Sequence, residues 1–386
     1  MAINPSANVN FAGLDPRSGT NVKVHGQSYR TIFVDSDGWT VQVIDQTKLP
    51  HDFQIVSLQT VETVASAIKN MMVRGAPLIG ATAAYGVCLA MRRNSDDKNL
   101  EYAQKLLGQT RPTAVNLHWA LDTMGRALSK TPNNKRAEKA YDIAALICSD
   151  DINTNRQIGK HGYSIIKELA KSKPPGSAVN ILTHCNAGWL ATVDWGTATA
   201  PIYAAHDAGV AVHVWVDETR PRNQGAALTA FELGQHGVPH TVIADNTGGH
   251  LMQTGGVDVC IVGTDRTTAT GLVINKIGTY LKALAAKDNA IPFYVALPSS
   301  TIDWSISDSD AEKVIEERSS SEVTHIQGRT EDGSIVSVQL TPDGSAAANY
   351  AFDLTPAHLI TGLITERGIT KPSAASLARM FPEHVR

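Results

Sequence analysis

The 386-residue sequence is short of several things, and each shortage excludes a class of protein. It has four cysteines, Cys88, Cys148, Cys185 and Cys260. That is too few for a disulfide framework, and no two stand at the CxxC spacing of a metal or redox pair. Basic and acidic residues nearly balance, 34 against 37, so no basic excess points to nucleic acid and no acidic block reads as a tail. The longest uncharged, apolar-leaning stretch runs over 75–91 and contains Gly80, Thr82 and Gly86. It is too short and too rich in small residues for a membrane span and reads as a buried helix. No basic segment followed by an apolar run opens the chain, so no signal peptide is expected. A Walker A motif is absent, and so is GxGxxG after a strand. GGHLMQTGG at 248–256 lacks nucleotide-loop spacing. The 13 histidines are scattered, with no HxH pair, so no metal site is expected. Against these absences stand 42% hydrophobic residues, enough for a large core. The expectation is a soluble, cytoplasmic, multi-domain protein with no membrane or nucleic-acid partner.

Residues 1–22 are rich in Asn, Pro, Gly and Ser and read as a loose tail. Tyr29–Val34 and Trp39–Ile44 flank the turn DSDG and suggest a hairpin; Ile55–Leu58 is a weaker strand. From Thr60 to about Lys173 the pattern is helical, with stretches over 60–72, from Pro77 to 93, 97–108, 114–130, 135–149 and 151–171. KPPGS at 173–177 marks a boundary. After it, apolar runs at 179–185, 210–218, 240–246, 257–265 and 291–298 alternate with helical stretches. Such spacing suits βαβ units, whose strands are buried on both faces. The expected fold is therefore α/β. A smaller N-terminal domain of short antiparallel strands and helices (23–174) precedes a Rossmann-like, doubly wound, mainly parallel sheet (175–386).

Ligands of such sheets bind outside the carboxyl ends of the strands. Four run ends carry polar residues here: Thr183–Asn186, Asp217–Arg220, Asp245-Asn246 and Gly263–Arg266. A lone strand-end Asp is often a helix cap, but four such ends suggest one polar cleft. Cys88, Cys148 and Cys260 lie inside apolar runs as small core residues. Cys185 ends a run, and an expected helix start after Asn186-Ala187-Gly188 would stabilise its thiolate. Arg74-Gly75-Ala76-Pro77 places a guanidinium and a glycine at a helix start, which suits a phosphate. Arg111 precedes Pro112 at another helix start, and Asn275-Lys276 joins an amide to an ammonium.

These motifs, taken together, resemble the 5-methylthioribose-1-phosphate isomerases, the aldose–ketose isomerases of methionine salvage. The matching blocks are VRGAPLIGATAAYG (73–86), TRPTAVNL (110–117), THCNAG (183–188), VDETRPRNQGAALTAFEL (216–233), DNTGGHLM (245–252) and VGTDRTTATG with NKIGTY (262–280). LPSSTID (297–303) and ERSSSEVTH (317–325) match as well, and the likeness spans about 24–370. The wider superfamily includes regulatory subunits of translation initiation factor 2B and ribose-1,5-bisphosphate isomerase. The resemblance implies a homodimer with Cys185 and Asp265 as the catalytic pair. It implies substrate binding by Arg74, Gly75, Ala76, Arg111, Gln224, Asn275 and Lys276, with no cofactor or metal.

The chemistry is consistent with those residue types. Phosphate on the anomeric carbon prevents simple opening to a free aldehyde, so the ring must open with phosphate attached. One group protonates the ring oxygen and another handles C2. A carboxyl acts as the acid only if burial raises its pKa, and Asp265, after an apolar run, is expected to be so placed. Cys185 then serves as base or relay, and Arg74, Arg111 and Lys276 hold the phosphate. The sequence departs from the family at Leu272, where an acid is usual, and at Tyr350, Trp189 and Trp195. The two tryptophans are expected to reshape the apolar side of the pocket. Two other substrates, 5-deoxyribose 1-phosphate and ribose 1,5-bisphosphate, fit the same chemistry, though the second needs another cationic cluster. A non-catalytic initiation-factor-like protein is the alternative from another class.

Overall fold

The computed structural model describes residues 22–111 and 114–384. The tail expected over 1–22 lies outside the described residues up to position 21; Val22 is buried. The chain begins with a two-stranded ribbon, β1 (Lys23–Val24) and β2 (Gln27–Ser28). A three-stranded antiparallel sheet follows: β3 (Ile32–Val34), β4 (Val41–Ile44) and β5 (Ile55–Leu58). The β3–β4 pair is the hairpin expected around DSDG, closed by the Gly38 amide on the Asp35 carbonyl at 2.9 Å.

Helix α1 (Val61–Lys69) starts at a capping box between Thr60 and Thr63. Next come α2 (Ala76–Arg93), α3 (Asp97–Gly108) and α4 (Val115–Leu128). From Leu78 to Met91 every residue of α2 is buried, which accounts for its small, uncharged side chains. Helix α5 (Asn133–Lys171) corrects the sequence reading, which split it into two helices near 150. Ser149-Asp150-Asp151 is polar but contains neither Gly nor Pro, so nothing breaks the backbone. Asp151 instead accepts the Val193 amide at 2.8 Å and pins the helix to a distant loop. The first half of α5 packs Ala140–Cys148 into the helical core. Its second half packs Ile158 and Ile166 into the core of the large sheet. Gly162 permits that approach, since a Cβ there would lie 2.3 Å from Pro201 Cγ.

The later elements are β6 (Val179–Thr183), α6 (Ala200–Asp207), β7 (Val212–Asp217), α7 (Ala230–His236), β8 (His240–Ile243) and α8 (Thr247–Gln253). They continue with β9 (Val259–Val262), β10 (Arg266–Thr268), β11 (Val273–Lys276), α9 (Thr279–Asp288), β12 (Phe293–Ala296) and β13 (Ile302–Asp303). The last are α10 (Ser321–Thr324), β14 (His325–Arg329), β15 (Ile335–Gln339), β16 (Phe352–Thr355), β17 (Gly362–Thr365), β18 (Gly368–Thr370) and α11 (Ala374–Met380).

A seven-stranded sheet runs in the order β18-β17-β12-β9-β6-β7-β8. All neighbours are parallel except β17 and β18. The chain winds outward from β6 through β7 to β8, then crosses back to β9 and winds the other way. The switch point therefore lies between β6 and β9, where such sheets open a crevice for ligands. A smaller four-stranded sheet, β13-β10-β11-β16, stands beyond the end of β9. Among the described residues, no helix is long and apolar enough to cross a membrane.

Candidate active site

The two strands at the switch point end in the two residues singled out as chemically active. Cys185 follows β6, and Asp265 follows β9. Both line two adjoining hollows of about 30 Å³ each. A third hollow of the same size shares Asp265 with them. Around these hollows lie all nine expected site residues: Cys185, Asp265, Arg74, Gly75, Ala76, Arg111, Gln224, Asn275 and Lys276.

Each is held by its local structure. Cys185 has φ of +65°, a strained value for a residue with a side chain. Its amide donates to Thr219 Oγ1 at 2.8 Å, and its carbonyl accepts from Thr229 Oγ1 at 2.7 Å. Its thiol donates to Gln224 Oε1 at 3.3 Å. The helix start expected behind it is missing: Trp189–Ala191 form a single 3₁₀ turn, and α6 begins at Ala200. Too few aligned peptides follow Cys185 to stabilise a thiolate. Burial instead pushes the thiol up, while Arg74 and Lys276 pull it down. Asp265 is half-buried, so the burial expected for the carboxyl falls on the thiol instead.

Arg74 is buried and forked onto one residue, with Nη1 donating to Asn186 Oδ1 at 2.5 Å and Nη2 to the Asn186 carbonyl at 2.8 Å. Its Nε is buried without a partner. Gly75 is the N-cap of α2 and brings no side chain to the cap, which leaves first-turn amides for a ligand. Arg111 pairs with Glu316 at 3.3 Å. Lys276, at the end of β11, sits 4.8 Å from the Phe352 ring centroid. Burial lowers its pKa, while Cys185 and Asp265 raise it. Asn275 donates to Thr279 Oγ1 at 2.9 Å.

Five wall residues of this hollow lie outside the expected set: Met71, Ile79, Arg222, Arg318 and Phe352. Arg222 and Arg318 supply the second cationic pair that the sequence did not disclose. Both are engaged by Glu322, at 2.8 and 2.7 Å, and Arg318 also by Glu316 at 2.8 Å. Burial pushes Glu322 up, but the two guanidiniums outweigh it and hold the carboxyl at about 2. The signal was present in the two arginines of matched blocks 216–233 and 317–325, although sequence distance hid their meeting. Trp189 and Trp195 do not line these hollows. Trp189 is buried in the sheet core and donates to the Tyr29 carbonyl at 3.0 Å. Leu272 packs against the cluster of Ile274, Ala311, Ala351 and Phe352, and Tyr350 is exposed. Lys282 occupies the point between His184, Asp217 and Asp245 that a cation would need.

Below the site, Glu232 is fully buried and accepts the Leu190 amide at 3.1 Å. Burial pushes its carboxyl from 4.5 up to about 7. The folded state thus holds a proton that the unfolded chain releases. The associated stability is present below 4.5 and lost as pH rises through about 7. Glu232→Gln is expected to remove up to about 3 kcal/mol of this pH dependence. Urea unfolding of parent and variant at pH 5 and pH 8 checks it; parallel changes in both proteins would contradict it.

Comparison with known proteins shows the family of the chain. Residues 72–372 match the initiation factor 2 subunit family. A methylthioribose-1-phosphate isomerase of Methylocella silvestris is 63% identical over 364 residues, covering 94% of this chain and 100% of that protein. The crystal structure of 5-methylthioribose 1-phosphate isomerase from Pyrococcus horikoshii is similar with a TM-score of 0.78 and 38% identity, over 92% of this chain and 96% of that one. A structure titled translation initiation factor eIF-2B, subunit delta, from A. fulgidus has a TM-score of 0.75 and 38% identity, over 92% and 99%. Near-complete coverage of the Methylocella relative at that identity decides between these names: the chain belongs to the methylthioribose-1-phosphate isomerase family, within the initiation factor 2 subunit family.

Proposed function

We propose that the protein converts 5-methylthioribose 1-phosphate to 5-methylthioribulose 1-phosphate, the aldose–ketose step of methionine salvage. The observation that carries this reading is the convergence of Cys185 and Asp265 on one cavity at the switch point, beside Arg74, Lys276 and the open start of α2. Those cations and first-turn amides bind the phosphate, with Arg111 exchanging Glu316 for it. Gln224 and Asn275 take sugar hydroxyls.

The raised thiol supports Cys185 as the first proton donor. Its proton goes to the ring oxygen as the bond from that oxygen to C1 breaks. The Asp265 carboxylate removes the C2 proton, leaving an enol that still carries phosphate on C1. Asp265 returns its proton to C1, and the Cys185 thiolate takes the proton of the C2 hydroxyl as the ketone forms. Protons balance over the cycle with no cofactor or metal.

The 5-substituent has room beside the site. A cleft of about 230 Å³ shares Met71, Arg74, Arg222 and Gln224 with the reaction cavity and is lined in part by Leu49, Pro50, Ala227, Leu228 and Ile326. The apolar part of that wall suits a methylthio group, while Arg222 and Glu322 stand in the same cleft. Ribose 1,5-bisphosphate would have to take Arg222 and Arg318 from Glu322. The initiation-factor reading, suggested by the A. fulgidus neighbour, predicts ligand binding without turnover. A coupled assay of 5-methylthioribose 1-phosphate, 5-deoxyribose 1-phosphate and ribose 1,5-bisphosphate tests these choices. The methylthio sugar is expected to give the highest kcat/KM, and no turnover of any sugar would sink the enzyme reading.

We further infer a cytoplasmic homodimer, for which the exposed Tyr280, Leu281 and Leu284 on α9 offer an apolar face. The division at 174/175 is kept as two units, with α5 packing against both cores.

A further inference from the structure

In the wall of the reaction cavity lies a buried polar network, centred on His184, to which the proposed chemistry gives no role. His184 has no exposed side-chain surface. Its Nδ1 is 2.8 Å from Asp217 Oδ2, and its Nε2 is 2.8 Å from the Ile277 carbonyl oxygen. A carbonyl only accepts, so Nε2 carries a proton. Lys282 Nζ lies 3.1 Å from the same Asp217 oxygen and donates to the Asp245 carbonyl. Asp217 is thus fixed by Lys282, and it in turn fixes the ring at Nδ1.

The position of this ring matters more than its charge. His184 immediately precedes Cys185 at the end of β6, and Ile277 immediately follows Lys276 at the end of β11. Thus one side chain joins the strand end that carries the thiol to the strand end that carries the ammonium. The segment after Lys276 is otherwise held from other directions. The Ile277 amide donates to the Ala351 carbonyl at 3.0 Å, and the Gly278 amide to Asp353 Oδ2 at 2.7 Å. Gly278 has φ of +102°, and a Cβ there would lie 3.0 Å from His184 Cε1, so backbone and ring are in close contact. Neither of those other bonds reaches β6.

The geometry points to His184 as a positioning residue that fixes the Lys276 ammonium against the Cys185 thiol through the Ile277 carbonyl. Asp217 and Lys282 orient the ring from behind, and Asp245 and Asp353 are the other charged groups around the network. On the cavity side the thiol faces Arg74 from the start of α2, Lys276 from β11 and Asp265 after β9. Of these, Lys276 is the group the network controls. The consequence is electrostatic: an ammonium allowed to drift would leave the thiol with less help in ionising.

The test reads that coupling without any substrate, so it stands apart from the choice of sugar. Glutamine in place of histidine sets an amide N–H near the position of Nε2 and can keep the bond to Ile277. Asparagine reaches only as far as Nδ1 and loses it. Alkylation of Cys185 by iodoacetamide is followed by peptide mass spectrometry across pH in the full-length protein, with thermal unfolding recorded alongside. In His184→Asn the apparent pKa of Cys185 is expected to rise by about one unit, slowing reaction below that pKa about tenfold. Turnover should fall by roughly tenfold to a hundredfold, and KM should rise as well, because Lys276 also holds the phosphate. His184→Gln should return the alkylation profile toward that of the parent. A folded His184→Asn protein whose profile overlays the parent's would overturn the proposal. Lys276→Met removes the ammonium directly and must raise the thiol at least as far; an unchanged profile there overturns it too, even if the asparagine variant fails to fold.

Discussion

Cys185→Ser and Asp265→Asn are each expected to lower kcat by about 10²- to 10⁴-fold, the range for loss of a positioned acid or base. Both changes are close to isosteric. Serine keeps a donor for Gln224 Oε1, and the bonds that fix position 185 come from its backbone, through Thr219 and Thr229. Asparagine keeps the shape of Asp265, whose amide bonds to the Ile274 carbonyl at 3.0 Å. Neither change should disturb the fold, so thermal unfolding should stay near the parent's while turnover collapses. The serine hydroxyl is a far weaker acid than the thiol and cannot cycle through its anion at neutral pH. The asparagine amide cannot accept the C2 proton. Because the two groups act in one sequence of transfers, the double variant should be little worse than the poorer single one.

Gly75→Ala is expected to be as damaging by a different route. Gly75 has φ of +91°, a conformation that costs other residues about 1–3 kcal/mol. Space is the larger obstacle. A Cβ would lie 2.4 Å from the Ala191 carbonyl oxygen and 2.5 Å from its Cα, both backbone atoms that cannot turn aside. The start of α2 or the 188–191 turn must then move, and that turn is continuous with the loop on which Asn186 holds Arg74. We expect a loss of about 3 kcal/mol or more in urea unfolding. Any protein that still folds should show a raised KM, because the phosphate site has shifted. Unchanged stability would mean that the α2 start adapts more freely than its contacts imply.

These two outcomes rest on features of unequal legibility. The central strands β6, β7, β9 and β12 are apolar runs, and a strand covered on both faces announces itself that way. The four-stranded sheet β13-β10-β11-β16 gives no such sign. Its strands have two to four residues, and β11 pairs with β16 nearly eighty positions away. Short pieces joined by tertiary pairing leave no local period to read. The expected division of α5 near 150 is absent for a related reason: the sequence there has no helix breaker, and Asp151 serves a distant amide. At the site, Cys185 was legible from its place at a run end, but the reason attached to it was wrong. Burial and two cations govern the thiol, not a helix start. Arg222 and Arg318 could not be paired from sequence because nothing local links positions so far apart.

The most direct test of the account uses the purified protein and 5-methylthioribose 1-phosphate alone, with no metal or nucleotide added. ¹³C NMR follows the sugar carbons. The account predicts that the C1 anomeric signal is replaced by a C2 ketone signal, and that neither Cys185→Ser nor Asp265→Asn produces this change at a comparable rate. An anomeric signal that persists unchanged with the parent protein, or a ketone formed equally fast by the two variants, would contradict it.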